Sequence, residues 1–326
     1  MSASTHGMLA HLWFGLIGLM LVIYVVTDGF DIGVGILSLG SSSEQDRDQM
    51  YSAIGHVWDA NETWLVVLGG ALFGAFPQAY ALLLHTLYVP VMVLIGSLIM
   101  RGAAIEFRHV AKDRRLWDIA FGIGSLGAAL AQGVILGSVI TGLQPGKLSV
   151  AFILTTALGV VSGYALLGST YLINKASGTV EESAKRIAGF CLACTVACAL
   201  ALTVVTFALP DIGHERWREP GVFTLLMILG ALSAASVFAV ARGLFMRSLR
   251  SPFQASVALF MFSFCGLATS LFPDIVPGTL SIAQAASDTN TLVFMLCGIG
   301  FLFPVMIGYN LYQYYVFRGK VGNIVH

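Results

Sequence analysis

The chain has 326 residues, of which 57% are apolar and only 10% are charged, and its mean hydropathy is +0.85. Because soluble domains carry about 25% charged residues, this composition excludes an ordinary soluble globular protein. Basic and acidic residues number 17 each, and the resulting zero net charge argues against nucleic acid as a partner.

Nine apolar segments follow one another along the chain, and each is close to or above the roughly 20 residues that a membrane-spanning helix needs. No long polar stretch interrupts them, so we predict one transmembrane domain over residues 1–326 with an all-α, polytopic fold. No lysine or arginine precedes the first segment, which indicates a retained helix and not a signal peptide. The segments cover residues 9–39, 57–74, 79–100, 117–140, 150–173, 187–209, 221–241, 253–272 and 290–317.

The basic residues test the number of crossings, because lysine and arginine concentrate in cytoplasmic connections. With nine transmembrane helices, the asymmetry of the basic residues predicts an N-terminus outside the cytoplasm and a cytoplasmic C-terminus. The short second segment carries two acids, and leaving it out would scramble the alternation, so we expect its charges to be buried against protein. One set of connections holds Arg47, Arg101, Arg108, Lys112, Arg114, Arg115, Lys175, Lys185, Arg186, Arg242, Arg247, Arg250, Arg318 and Lys320, whereas the other holds Lys147, Arg216 and Arg218.

Two pairs of carboxylates lie within apolar segments, Asp28 with Asp31 and Asp59 with Glu62. An acid at bilayer depth costs about 2.5–3.5 kcal/mol on insertion scales, so four of them need a reason beyond packing. The i, i+3 spacing puts the members of each pair on one helix face, and the predicted orientation puts all four near the cytoplasm. Since close carboxylates in a low dielectric do not all ionise easily, we expect at least one to hold a proton, as a proton relay requires.

A purely structural role for these acids stays open. Asp59 and Glu62 fall in the first turn of a predicted helix, where the helix dipole favours anions. The acids could also pair with Arg101 or Arg47, in which case they would serve packing and not proton movement.

Three ordered sequence blocks resemble subunit II of cytochrome bd-type quinol oxidases. They are residues 27–35 (TDGFDIGVG), residues 58–64 (WDANETW) with 69–77 (GGALFGAFP), and residues 97–102 (SLIMRG) with Glu106, Phe107 and Arg108. Ala60 stands where the family usually has glycine, and the compact loops resemble the cyanide-insensitive branch. The resemblance implies one subunit of a heterodimeric terminal oxidase.

Such an oxidase is expected to oxidise a membrane quinol, reduce O2 to water and draw protons from the cytoplasm. The resemblance implies that a partner, subunit I, holds haem b and haem d, with ubiquinone as a candidate cofactor of the complex and no haem held by this chain alone. Further expected partners are small single-helix subunits and membrane lipid. The resemblance also implies a bacterial inner (plasma) membrane, in which the N-terminus would be periplasmic. Subunit II would then supply structure, proton access and an oxygen route.

The resemblance also assigns roles to individual positions. Asp28, Asp31 and Asp59 match acids implicated in proton uptake, and Glu62 matches a position that is acid or amide in the family. Trp64 and Arg101 match residues near a proposed oxygen route. In this chain, Trp64 lies in the second apolar segment, and Arg101 lies just after the third.

Two other functional classes stay open from the sequence. A proton-coupled secondary transporter would use the same acids to couple substrate movement to protons, and a scaffold would use them only to bind its partner. Neither an internal repeat nor a matched pair of broken helices is visible in the two halves of the chain, which argues against the transporter.

Residues able to ligate haem or metal are few at membrane depth. A haem held within the chain needs an axial His, Met, Cys or Tyr there, and His85 is the one histidine well inside a predicted helix, where interhelical hydrogen bonding is the favoured role. Cys191, Cys194 and Cys198 share one face of the sixth segment and predict a helix interface in preference to a metal site. The spacing of Gly29 and Gly33 likewise predicts a close helix contact.

Overall fold

The computed structural model describes residues 3–41, 43–208, 217, 219–246 and 251–321, in which helices predominate. A short antiparallel hairpin of β1 (Asp274–Val276) and β2 (Leu280–Ser281) is the departure from an all-helical chain in these ranges. The helices are α1 (Ala3–Ser38), α2 (Glu44–Ile54), α3 (Trp58–Ala75), α4 (Pro77–Thr86), α5 (Tyr88–Arg108), α6 (Arg115–Ile140), α7 (Lys147–Lys175), α8 (Thr179–Ala208), α9 (Pro220–Phe245), α10 (Ser251–Leu271), α11 (Ile282–Ala285) and α12 (Thr289–Val316).

Within the described ranges, 8 helices are long and apolar enough to cross a membrane: α1, α5 to α10, and α12. Helices α3 and α4 pass the same test only together, and they are bent by 118° at the break between them, so counting this pair as one broken span gives 9. Pro77 begins α4, and because proline has no backbone N–H it cannot continue the hydrogen-bond ladder of α3. The chain is therefore a polytopic, α-helical integral membrane protein.

The prediction of a single helix over residues 79–100 is wrong. The structure divides it at Leu87, which follows α4 and precedes α5. Apolar residues lie on both sides of this break, so hydropathy carries no sign of it. Helix α5 also extends to Arg108, which places Arg101 inside a helix and not in a connection. Acidic side chains surround Arg101 and allow its burial. Arg101 is therefore not one of the basic residues in connections, on which the predicted orientation depends.

Helix α2 was not predicted, because its polar sequence escapes a search for membrane spans. It begins after Ser43, whose Oγ accepts a hydrogen bond from the backbone N–H of Asp46 and so caps the helix. The hairpin after α10 was also missed. Its turn contains Gly278 at φ +65°, a backbone conformation that glycine adopts without steric cost.

Helix α1 lies at the centre of the bundle and packs against α3, α6 and α7. Two apolar clusters lie along it. One includes Trp13 and Tyr24 of α1, and the other begins at Phe30, which stacks on Tyr171 with 4.2 Å between ring centroids. Asp28 and Asp31 therefore lie where the two clusters meet, with apolar side chains above and below them.

The predicted close contact at Gly29 and Gly33 is confirmed. Helices α1 and α7 cross there almost backbone to backbone: a Cβ on Gly33 would overlap the carbonyl oxygen of Tyr164, and one on Gly168 would overlap the backbone of Gly33. A Cβ on Gly29 would lie 2.8 Å from the Tyr164 ring. This close approach is what brings the acidic face of α1 into the protein interior.

We expect Gly33→Ala to destabilise the folded subunit by about 1–3 kcal/mol, because the added methyl must push two backbones apart. Gly15→Ala is the matched control on the same helix, since nothing lies within 4 Å of a Cβ at that position. The midpoint of thermal unfolding of the detergent-purified complex measures the difference. Equal midpoints for the two variants would contradict the tight crossing.

Candidate functional site

The polar centre of the bundle is the guanidinium of Arg101, which is fully buried. Its Nη2 donates to Asp28 Oδ1 at 2.5 Å and to Glu62 Oε2 at 2.8 Å. The Asp28 side chain is also fully buried, whereas that of Glu62 is 24% exposed. One cation therefore joins α1, α3 and α5 through charge-assisted hydrogen bonds, the strongest kind in proteins.

Several buried atoms of this cluster have no hydrogen-bond partner among the described residues. They are Oδ2 of Asp28, Oδ1 of Asp31, and Nε and Nη1 of Arg101. Buried polar atoms are nearly always paired in folded proteins, and an unpaired one costs about 1–3 kcal/mol. The cluster thus keeps unused capacity both to accept and to donate hydrogen bonds.

Asp31 lies one turn beyond Asp28 and is held by neutral groups. Its Oδ2 accepts a hydrogen bond from Asn61 Nδ2 at 2.7 Å, and the Oδ1 of that amide accepts one from the hydroxyl of Tyr314 at 2.7 Å. Within the described part of the chain, no basic side chain forms an ion pair with Asp31. The two acids of α1 therefore differ: one is paired with a cation and the other is not.

Trp64 contacts residues of α12. Its Nε1 donates to Asn310 Oδ1 at 3.2 Å, and its ring packs edge-on against Phe303 with 5.5 Å between centroids. These contacts place Trp64 between α3 and α12, whereas Arg101 pairs with acids of α1 and α3. The two residues expected near one oxygen route therefore have different partners among the described residues.

Asp59 lies in the first turn of α3, as predicted, but its side chain is exposed. Within this subunit, therefore, Glu62 is half-buried and Asp59 is not covered by residues of its own chain. It begins a stripe of exposed residues at helical spacing, Thr63, Val66, Gly70 and Phe73. Residues at i and i+3 differ by about 60° around a helix, so Glu62 reaches Arg101 while Asp59 points outward.

A second ion-pair cluster joins the ends of α2, α5 and α6. Asp118 accepts from Arg47 Nε at 2.8 Å and from Arg108 Nε at 2.6 Å, so Arg47 pairs with none of the four predicted acids. The Arg108 guanidinium also lies over the Tyr51 ring, 4.3 Å from its centroid. Burial, and secondarily the Asp118 carboxylate, raises the pKa of the Tyr51 phenol above its usual value, which keeps it neutral.

A family model for cytochrome bd terminal oxidase subunit II matches residues 9–317. The chain belongs to this family. It is therefore subunit II of a cytochrome bd-type terminal oxidase, and the buried cluster around Arg101 is a feature of that subunit.

Individual relatives agree with this assignment. Cytochrome bd ubiquinol oxidase subunit 2 of Bacillus subtilis (strain 168) is 27% identical over 339 residues, covering 96% of each chain. Cytochrome bd-I ubiquinol oxidase subunit 2 of Escherichia coli (strain K12) is 27% identical over 365 residues, covering 96% of this chain and 95% of the relative. The bd oxidase structure from Geobacillus thermodenitrificans matches with a TM-score of 0.76 at 18% identity, covering 95% of this chain and 98% of that chain, which shows a common fold.

The family implies haem in the complex, and a haem enclosed within one chain needs a buried axial ligand such as histidine. The histidines in the described ranges are His6, His11, His56, His85 and His109, and none of these is buried. His85 lies in the last turn of α4, beside the break, and not inside a spanning helix as predicted. These histidines do not fit a haem enclosed within this chain.

The cysteine face of subunit II lies against α7. Cys191 is buried, Cys194 and Cys198 are half-buried, and Cys198 lies 3.3 Å from where a Cβ on Gly159 would be. In the described ranges, no group of three or more His, Cys, Asp or Glu side chains is placed to hold a metal ion. The contacts of this face are those of a helix interface.

Sequence analysis missed three polar residues of the site, Asn61, Asn310 and Tyr314. Asn61 could have been predicted, because an amide within an apolar segment is unfavourable for the same reason as an acid there. Tyr314 could not, since 253 residues separate it from Asn61 and tyrosine is common in membrane helices. A further buried bridge, Gln132 between the hydroxyls of Tyr24 and Tyr164, was missed for the same reason.

Proposed function

We propose that this subunit carries the protons that its partner consumes when the oxidase reduces O2 to water with electrons from a quinol. One observation carries the proposal: the buried carboxyls of Asp28 and Asp31 and the half-buried carboxyl of Glu62 lie around the single guanidinium of Arg101. Such a cluster is costly to fold, and proton exchange gives it a function.

The charges of the cluster do not balance if every acid ionises. Full ionisation would leave two negative charges without a counter-ion in a largely apolar interior, and buried charges of this kind are strongly unfavourable. A proton on one carboxyl relieves the excess, and because the acids interact they gain and lose protons as a coupled set. Asp31 is the acid we assign to this proton, since Asp28 and Glu62 already have Arg101.

The route would run from the cytoplasm. We infer nine crossings, with α3 and α4 as one broken span, a periplasmic N-terminus and one transmembrane domain over residues 1–326. The excess of basic residues on alternate connections supports this orientation even without Arg101. Lys175 Nζ donates to the carbonyl of Phe317, so the ends of α7 and α12 meet on the proposed cytoplasmic side, close in sequence to Tyr314.

The remaining parts of the oxidase are assigned to its partners. We place haem b, haem d and quinol oxidation in subunit I, with ubiquinol as the quinol because the relatives are named ubiquinol oxidases. Small single-helix subunits and the bacterial inner membrane complete the expected surroundings. Trp64 stays a candidate for an oxygen route, whereas the contacts of Arg101 favour a role with the acids. Membership of the family disfavours the transporter alternative.

Asp59 is where we place the transfer to subunit I. The exposed stripe that it begins on α3 includes Val66 and Phe73, which are 72% and 61% exposed and suit contact with another apolar helix. An acid on this stripe is costly against lipid but not against a partner that offers polar groups. Glu62, one turn away, would link Asp59 to the buried cluster.

We expect Asp59→Asn to lower quinol-driven O2 consumption by about an order of magnitude with the complex intact. This loss is smaller than the ~100-fold lower limit for a buried proton-transfer group, because solvent near Asp59 substitutes in part. Haem b and haem d bands and the co-purifying partner are recorded on the same sample. Glu182→Gln, an exposed acid on α8, is the control and should leave turnover unchanged. Full turnover of a haem-replete Asp59→Asn complex would exclude this step of the route.

A further inference from the structure

The side-chain amide of Asn61 is held on three sides. Its Nδ2 donates to Asp31 Oδ2 at 2.7 Å and to the backbone carbonyl of Thr27 at 3.3 Å. Its Oδ1 accepts from the hydroxyl of Tyr314 at 2.7 Å. Asn61 is only 1% exposed, so these contacts with α1 and α12 account for its hydrogen bonding.

Only one orientation of this amide satisfies its surroundings. The carbonyl of Thr27 can only accept, so the NH2 group must face α1, and its two N–H bonds are then used by Thr27 and Asp31. Exchanging the amide oxygen and nitrogen would set the oxygen against the Thr27 carbonyl. The hydroxyl of Tyr314 closes the arrangement by donating to the oxygen that remains.

The fixed amide makes the two oxygens of Asp31 unequal. Oδ2 accepts from Asn61 whether the carboxyl is ionised or not, whereas Oδ1 is buried and has no partner among the described residues. Gain and loss of a proton at Oδ1 leaves the Asn61 hydrogen bond in place. The titratable and charged groups facing Asp31 are Asp28 on α1, Glu62 on α3, Arg101 on α5, Tyr171 on α7 and Tyr314 on α12.

Tyr314 also lines a cavity of about 400 Å³. Other lining residues come from α2, α7 and the segments that follow α2 and α12, including Tyr171, Lys175 and the exposed His56 and Lys320. Tyr171 donates its hydroxyl to the carbonyl of Ala53, which leaves Tyr314 as the cavity residue bonded toward Asp31. Tyr314 thus stands between this cavity and the buried acid.

We propose that Asn61 and Tyr314 are positioning residues that hold Asp31 with Oδ1 as its proton-carrying oxygen. The proposal rests on the proton route through Asp31 described above, and it adds the device that sets the protonation of that acid. Asn61 supplies the donor that stabilises the carboxylate, and Tyr314 keeps that donor aimed.

Tyr314→Phe in the complete oxidase is the test, because it removes one oxygen atom and keeps the ring. Without the hydroxyl the amide keeps its orientation toward Thr27 but loses one of its three anchors, so its hydrogen bond to Asp31 is held less firmly. The carboxylate is then less stabilised, and the acid keeps its proton to higher pH. We expect the pH profile of quinol-driven O2 consumption to move upward by about one unit, with a loss of several-fold at neutral pH. Tyr312→Phe, an exposed tyrosine on the same helix, is the matched control and should keep the original profile.

Asp31→Asn separates the proton route from the positioning role of Tyr314. If Asp31→Asn keeps full turnover, the proton route through Asp31 is wrong. If Asp31→Asn is inactive but Tyr314→Phe has the wild-type pH profile, or loses activity equally at every pH, the positioning role is overturned and the route stands. Asn61→Leu removes the donor altogether and should move the profile further in the same direction, which provides a second variant if Tyr314→Phe fails to assemble.

Discussion

Arg101→Leu is expected to abolish accumulation of the assembled oxidase. The substitution leaves Asp28 fully buried without its cation and Glu62 without its only ion-pair partner in the described ranges. Removing one member of a buried ion pair typically costs about 3–5 kcal/mol, which is a large part of the 5–15 kcal/mol that stabilises a typical folded domain. The yield of haem-replete complex in membranes and its thermal midpoint in detergent measure the effect.

Arg114→Leu is the control for this variant. Arg114 is 38% exposed and lies 3.4 Å from Glu44 and 3.5 Å from Asp48, so its ion pairs are surface interactions worth at most about 1 kcal/mol each. The double variant Arg101→Leu with Asp28→Asn should recover part of the lost yield, because it removes the uncompensated charge. Wild-type yield of Arg101→Leu alone would mean that the buried ion pairs of Arg101 contribute little to the stability of the folded subunit.

Asp31→Asn should have the opposite pattern, an assembled and haem-replete complex that consumes O2 at least about 100-fold more slowly. The amide keeps the size of the side chain, its oxygen can still accept from Asn61, and no ion pair is lost. What disappears is the ionisable proton, and positioned acid–base groups contribute about 10²–10⁴-fold to rate. Quinol-driven O2 consumption per haem d is the measurement.

Asp288→Asn controls for the general effect of this substitution. Asp288 caps α12, and hydrogen bonds from Thr291, first from its side chain, hold the pKa of Asp288 below its usual value. Asparagine is an equally good N-cap, so turnover should not change. Normal turnover of Asp31→Asn would remove Asp31 from the proton route and leave the cluster with a structural role.

The fold class and the candidate site acids could be predicted from the sequence for an energetic reason. Charged groups within apolar segments are unfavourable, so the positions of Asp28, Asp31 and Glu62 alone indicate a functional site. Arg101 was assigned to a connection because hydropathy treats a charge at a helix end as a boundary. Its burial depends on carboxylates from α1 and α3, a tertiary fact that no local window contains.

Most other features depended on contacts between distant parts of the chain. The break at Leu87 lies within a stretch that hydropathy treats as one apolar segment, and Pro90 in the first turn of α5 is its local signal. Asp59 and Glu62 share a helix and a charge, yet one is exposed and the other reaches Arg101, which is decided by where α5 packs. The hydrogen bond between Tyr314 and Asn61 joins residues at opposite ends of the chain, so neither residue alone indicates it.

The ion pair between Asp28 and Arg101 also sets a time scale for biosynthesis. The two residues are 73 positions apart, and at about 5–20 residues per second a ribosome needs roughly 4–15 s to add the second after the first. Throughout that interval the first helix carries Asp28 without the cation that it pairs with in the described part of the chain. We therefore expect stable release of α1 into lipid to follow the arrival of α5, so that the first three predicted crossings settle in the membrane together.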